Sequence, residues 1–282
     1  MMDYRVFAGL GALALCLVLA ACSPVRLLNT ATPSFNYKQK QTIAFGEGER
    51  QSMDIYRAKS PKEDAPVLVF FYGGGWTWGE KAQYKFVGDA FASAGYDVVI
   101  PDYRLYPKVK YPAFVEDAAH AVARVAQEFP DRKIVLMGHS AGAYNGMMLT
   151  LDPHWLADVG VDRDQVIAGM VGLSGPYGAT PMTDKPYISI FPKRMTGDDG
   201  PVNIASAGDP PVLLITGSDD ETVDPKNTTE LARILRENGV DVTEHVYPEL
   251  THIDTARVLS RFFDGDAPQK GDILAWLEGV SG

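Results

Sequence analysis

The sequence predicts an α/β fold: a mostly parallel central sheet flanked by helices, with a short cap insertion. Three observations carry this. From about residue 66 onward, apolar strand-like runs alternate with amphipathic helical stretches, which argues for a parallel sheet covered on both faces. Residues 66–72 (PVLVFFY) are continuously apolar, as a strand buried on both sides requires. Residues 135–149 (VLMGHSAGAYNGMML) run from an apolar strand straight into a helical pattern through Gly-His-Ser-Ala-Gly.

The N-terminus is set apart from that pattern. Residues 1–21 read as a lipoprotein signal peptide: one Arg at position 5, then an apolar stretch over 6–21 that is short for a membrane span but suits the hydrophobic region of a leader. The segment ends in Leu19-Ala20-Ala21-Cys22, which resembles a bacterial lipobox. That resemblance implies acylation of Cys22, which becomes the mature N-terminus. Cys16 leaves with the leader, so Cys22 is the one mature cysteine and no intramolecular disulfide is expected. Ser23 rather than Asp follows Cys22; in Gram-negative lipoproteins this favours the outer membrane, facing the periplasm. Residues 22–37 mix Pro, Thr, Ser and Asn without periodicity and read as a lipidated tether.

Residues 38–282 form one domain in this reading. Residues 40–45 and 51–56 read as a strand hairpin. Strand 66–72 follows, then helix 82–94, strand 96–101 (YDVVIP) and an amphipathic helix over 112–129 with Glu116 and Asp117 in its early turns. Strand 133–137 leads into helix 141–151. Strands 166–173 and 211–216 come next, then helix 227–238, stopped by Gly239. Strand 241–247 and helices over 254–263 and 272–278 complete the pattern. Residues 175–209 break the rhythm with Tyr, Phe and Met among Pro and Gly; a connection of that length is expected to act as a cap over the site.

Composition narrows the function. The chain of 282 residues is 46% hydrophobic and 22% charged, an ordinary globular balance with ample core. A net charge of -10 and no Lys/Arg run argue against nucleic-acid binding. No Cys/His cluster has the spacing of a zinc site, and neither a metal nor an organic cofactor is expected.

The residues that carry chemistry sit where strands end. In Gly138-His139-Ser140-Ala141-Gly142, small residues on both sides of Ser140 let a tight strand-to-helix turn close. The hydroxyl then stands above the sheet edge with a helix N-terminus aimed at it. A serine hydroxyl is a poor nucleophile without a base, and the base needs an orienting group. Five histidines are available: His120, His139, His154, His245 and His252. Carboxylates cluster in PVLLITGSDDETVDP as Asp219, Asp220, Glu221 and Asp224. In FFYGGGWTWGEK, consecutive glycines after a buried strand let backbone N–H groups approach a ligand. Gly74 and Gly75, with Ala141, are the expected oxyanion donors, a role in which losing one donor costs about a hundred- to a thousand-fold in rate.

Together these stretches resemble the α/β-hydrolase superfamily in its HGGG-type carboxylesterase branch, which includes hormone-sensitive-lipase-like, feruloyl-esterase-like and kynurenine-formamidase-like proteins. YGGGWTWGEK is similar to the HGGGW region, IPDYRLYP to the DYRLAP stretch, and YPAFVEDAAHAV to the helix after it. The likeness spans roughly residue 42 to the C-terminus. It implies the triad order serine, acid, histidine, hence Ser140 as nucleophile and His252, on the loop in YPELTHIDTAR, as base. It also implies Asp220 as acid, through the family's Gly-x-x-Asp-x-x-Val-Pro pattern counted from Gly217, with Asp219 as the competing neighbour. Two positions depart: Tyr72 stands where many relatives have His, and Asp224 stands where Pro is usual. Trp76, Trp78, Tyr187 and Phe191 are candidates for an acyl or aromatic pocket.

The resemblance implies a lipid-anchored serine hydrolase that cleaves small or short-acyl carboxylic esters through an acyl-enzyme. An amidase, formamidase or peptidase would use the same triad. A non-catalytic binding lipoprotein is the third reading, and loss of a triad member would mark it.

Overall fold

The computed structural model describes residues 24–178, 185–191, 200–265 and 267–280. Its centre is an eight-stranded sheet in the order β1-β2-β4-β3-β5-β6-β7-β8. The strands are β1 (Tyr37–Ala44), β2 (Ser52–Ala58), β3 (Val67–Phe71), β4 (Val98–Pro101), β5 (Ile134–His139), β6 (Ile167–Leu173), β7 (Val212–Gly217) and β8 (Val242–Tyr247). β1 and β2 form the expected hairpin, and β2 meets β4 antiparallel. All other pairings are parallel.

β3, β4, β5 and β7 are buried along their whole length. Their uninterrupted Val/Ile/Leu/Phe runs follow from that, because helices cover both faces. β8, at the sheet edge, carries the alternating sequence VTEHVY and stays half-exposed. The principal helices are α1 (Pro24–Ala31), α2 (Lys85–Ser93), α3 (Ala113–Glu128), α4 (Ala141–Leu151), α5 (Lys226–Glu237) and α6 (Gln269–Gly279). Among the described residues no helix is long and apolar enough to cross a membrane.

Two expectations change. Part of the tether, read as irregular, is helical: α1 docks on the body through Asn29 Nδ2, which donates to the Ala82 carbonyl at 2.6 Å, and through Leu28 against the core. The helix over 254–263 is two short turns, Asp254–Arg257 and Arg261–Phe263, because Ser260 caps the second with its side chain. The insertion at 175–209 carries helical turns at Tyr187–Ile190 and Pro201–Ile204. Ile190 and Phe191 are sunk into the core, and the Ile190 carbonyl accepts from the Tyr111 N–H. Beside the insertion, buried Arg163 pairs with buried Asp209 at 2.9 Å.

The parallel strands β3, β5, β6 and β7 all end on one edge of the sheet. The chemistry-bearing segments follow β3, β5 and β7 at that edge, with β8 supplying another.

Candidate active site

Ser140 follows the last residue of β5 and stands at the N-cap of α4 with φ 53° and ψ −122°. A non-glycine residue there is strained, and the flanking glycines show how the turn holds it. A Cβ on Gly138 would lie 2.4 Å from the Gly142 carbonyl oxygen, and one on Gly142 would lie 2.1 Å from that of Phe71. The backbones touch at both positions, so only glycine fits. The Ser140 N–H donates to the Leu173 carbonyl at 2.8 Å, which ties the turn to the end of β6.

Asp220 lies on the loop after β7. One carboxylate oxygen accepts from the N–H groups of Thr222 (3.0 Å) and Val223 (2.9 Å); the other meets His252 Nδ1 at 2.8 Å. Burial pushes the carboxyl up, but hydrogen bonds from His252, Val223 and Ser174 outweigh it and hold the group below its ordinary value. Asp219 is exposed and engaged with its neighbour Ser218. The structure therefore brings Asp220, not Asp219, to His252. With Nδ1 taken by the carboxylate, Nε2 is the free ring nitrogen of His252.

His252 sits on the loop between β8 and the turn at Asp254–Arg257. Its carbonyl oxygen is 2.9 Å from Thr255 Oγ1 and 2.9 Å from His139 Nε2. The rings of His139 and His252 are 4.8 Å apart, so the loop rests against the residue preceding Ser140. Of the other histidines, His120 and His154 are exposed and His245 lies within β8.

The glycine loop lies beside the nucleophile: a Cβ on Gly73 would be 3.0 Å from that of Ser140. Gly74 (φ 133°) and Gly75 (φ 55°) adopt backbone conformations that favour glycine. The Gly74 carbonyl accepts from the N–H groups of Thr77 and Trp78, so the loop is closed on itself. Ala141 is buried at the first position of α4, where the helix leaves N–H groups without internal partners.

Tyr72, the departure from the resembled pattern, supports this loop from beneath. Its hydroxyl donates to Asp102 Oδ1 at 2.8 Å and accepts from Arg50 at 2.7 Å. Lys81 Nζ completes the carboxylate at 3.0 Å. The Tyr72 ring stacks between Tyr84 and Tyr103, and burial raises its phenol well above the ordinary value. Arg50, Lys81 and Asp102 went unread in the sequence, where each is an ordinary charged residue. Ser174 was missed too: it follows the last residue of β6 at φ 49°, fully buried, with its hydroxyl 3.1 Å from that of Thr255.

The four pocket candidates separate. Trp76 is 1% exposed, donates to Asn145 Oδ1 at 2.9 Å and packs edge-on against Tyr144 and Phe191. Phe191 is buried with it. Tyr187 is half-buried, with its hydroxyl 3.3 Å from where a Gly75 Cβ would stand. Trp78 is 56% exposed beside Gly74. Residues 1–21 and Cys22 lie outside the described residues, as do parts of the insertion. Among the described residues no group of three His, Cys, Asp or Glu could hold a metal ion.

The BD-FAE family model matches residues 53–184, and the prolyl oligopeptidase family model matches residues 200–276. A probable isoprenylcysteine alpha-carbonyl methylesterase of Oryza sativa subsp. japonica is 27% identical over 248 residues, covering 78% of this chain and 59% of its own. The kynurenine formamidase of Danio rerio is 25% identical, covering 74% and 73%. The chain spans between half and three-fifths of the length of the plant methylesterases it matches. Among solved structures, esterase B from Lactobacillus rhamnosis superposes with a TM-score of 0.74 at 17% identity, covering 97% of this chain and 95% of that one. That likeness establishes the α/β-hydrolase fold.

Proposed function

We propose that this α/β-hydrolase is a serine esterase that cleaves small or short-acyl carboxylic esters through an acyl-enzyme. The observation that carries the reading is the Asp220–His252 pair at 2.8 Å, set on a loop that rests against the strained Ser140 elbow. In this reading Ser140 Oγ attacks the ester carbonyl while His252 Nε2 takes its proton. Asp220 holds the imidazole by Nδ1 and stabilises the imidazolium. The N–H groups of Gly74, Gly75 and Ala141 receive the developing oxyanion, in a loop fixed before substrate arrives. The imidazolium returns its proton to the leaving alcohol. Water then gives a proton to His252 and attacks the acyl-enzyme; the imidazolium returns that proton to Ser140 Oγ as the acyl–oxygen bond breaks, releasing the acid and restoring Ser140. Trp78 and Tyr187, beside the glycine loop, would border the bound ester.

The curated names support ester chemistry on this scaffold, the methylesterase most directly. The kynurenine formamidase and the prolyl oligopeptidase match keep an amide reading in play, since amides undergo the same attack. We further propose that Cys22 is lipidated after removal of residues 1–21, anchoring the enzyme at a membrane as an exported bacterial lipoprotein.

Hydrolysis of p-nitrophenyl esters from acetate to palmitate, by the protein and by Ser140→Ala, tests the reading. Turnover that peaks at short chains and vanishes in the variant is the expected result. A folded Ser140→Ala protein with full activity would refute the mechanism. Serine-dependent cleavage of formanilides in the absence of any ester turnover would transfer it to amides.

A further inference from the structure

His139 has no part in the mechanism above, yet it is 3% exposed and lies within the elbow itself. Its Nε2 is 2.9 Å from the carbonyl oxygen of His252. A carbonyl only accepts, so Nε2 carries the proton and donates. Burial keeps the ring neutral, which leaves Nδ1 bare, and that atom has no hydrogen-bond partner among the described residues. It faces the glycine loop: a Cβ on Gly73 would stand 2.8 Å from it. One imidazole thus spans from the loop of the base to the loop of the oxyanion donors, and its backbone leads directly into the nucleophile.

We propose that His139 is a positioning residue that holds the His252 loop in register with Ser140 and the Gly73–Gly75 loop. The role rests on the esterase reading, because it is the base of that mechanism that is being placed. His139 does not serve as a second base. Burial pushes its ring down to about 3, and the nearby His252 acts in the same direction, so the neutral tautomer persists wherever the enzyme would work. Thr255 Oγ1 also donates to the His252 carbonyl at 2.9 Å. Loss of His139 therefore loosens the loop without freeing it, and the expected cost is in rate, not in folding.

The test compares His139→Leu, His139→Gln and His139→Asn for kcat and KM on p-nitrophenyl acetate, and for the rate of phosphonylation by an alkyl p-nitrophenyl phosphonate. Leu fills the volume without a donor. Gln carries an amide N–H at the reach of Nε2, and Asn falls one methylene short. His139→Leu should lose about tenfold or more in kcat with KM little changed, and phosphonylation should slow in parallel. Gln should recover most of the rate and Asn should not. Wild-type kcat and phosphonylation in His139→Leu would overturn the proposal. So would equal impairment of folded Gln and Asn variants, a comparison that decides the matter if Leu fails to fold. Wild-type protein that is not phosphonylated on Ser140 at all would instead sink the serine-hydrolase reading, and this inference with it.

Discussion

Replacing Asp220 by Asn tests how the base is oriented, and its effect can be worked from the hydrogen bonds. One Asp220 oxygen is held by two backbone N–H donors, Thr222 and Val223. An amide oxygen can keep both bonds and an amide NH2 can keep neither, so the Asn oxygen stays there and its nitrogen turns toward His252 Nδ1. A donor facing Nδ1 requires that nitrogen to be bare, which moves the ring proton to Nε2. The lone pair that would accept the serine proton is then gone. The same tautomer inversion in a serine protease lowers kcat about ten-thousand-fold, equivalent to about 5.4 kcal/mol in the barrier. The side chain is isosteric, so the variant should remain folded. Steady-state kinetics on p-nitrophenyl acetate, with thermal unfolding as control, measures both. A folded variant within tenfold of wild-type kcat would show that His252 does not take its orientation from Asp220. Asp219→Asn, at an exposed neighbour, should leave kcat unchanged.

Three further outcomes follow from the geometry. Gly142→Ala puts a Cβ 2.1 Å from the Phe71 carbonyl oxygen, and the elbow must shift by roughly an ångström to relieve it; kcat/KM should fall about a hundredfold and stability by about 1–3 kcal/mol, measured by kinetics and urea unfolding. Asp209→Ala removes one of the two carboxylates on the buried Arg163 guanidinium, whose Nε keeps Asp164 at 2.8 Å, so urea unfolding should show a loss of about 1–3 kcal/mol; a loss below ~0.5 kcal/mol would mean that Asp164 and the Thr150 carbonyl satisfy the guanidinium without Asp209. Acid sensitivity carries the signature of His139. Its folded value of about 3 lies below the ordinary ~6.5, so between these pH values the unfolded chain binds one more proton and stability falls as pH falls, by up to about 1.4 kcal/mol per unit. His139→Gln removes that contribution, so its loss of stability between pH 6.5 and 4.5 should be smaller than wild type by about 1–3 kcal/mol. Equal acid slopes would contradict the buried neutral ring.

Much of the architecture was legible because parallel strands buried on both faces write themselves as unbroken apolar runs, as β3 and β5 do. The elbow was legible because the backbone contacts around Ser140 admit only glycine at 138 and 142. What escaped depends on partners distant in the chain. Ser174 and Thr255 are ordinary small polar residues until β6 and the His252 loop bring their hydroxyls together. Arg50, Lys81 and Asp102 carry no signal in the sequence, because only the fold gathers them around Tyr72 beneath the glycine loop. The aromatic candidates show the same limit from the other side: composition does not distinguish Trp76, buried against Asn145, from Trp78, exposed beside Gly74. Helix α1 escaped because its eight residues carry too short a pattern to stand out from a tether.

The central claim is that Ser140 becomes acylated. Rapid acid quench of the protein during turnover of a slow p-nitrophenyl ester, followed by peptide mapping by mass spectrometry, reads this directly. The account predicts an acyl group on the peptide containing Ser140, absent from Ser140→Ala and accumulating when deacylation is slowed. An adduct on another residue, or ester turnover with Ser140 unmodified throughout, would contradict it.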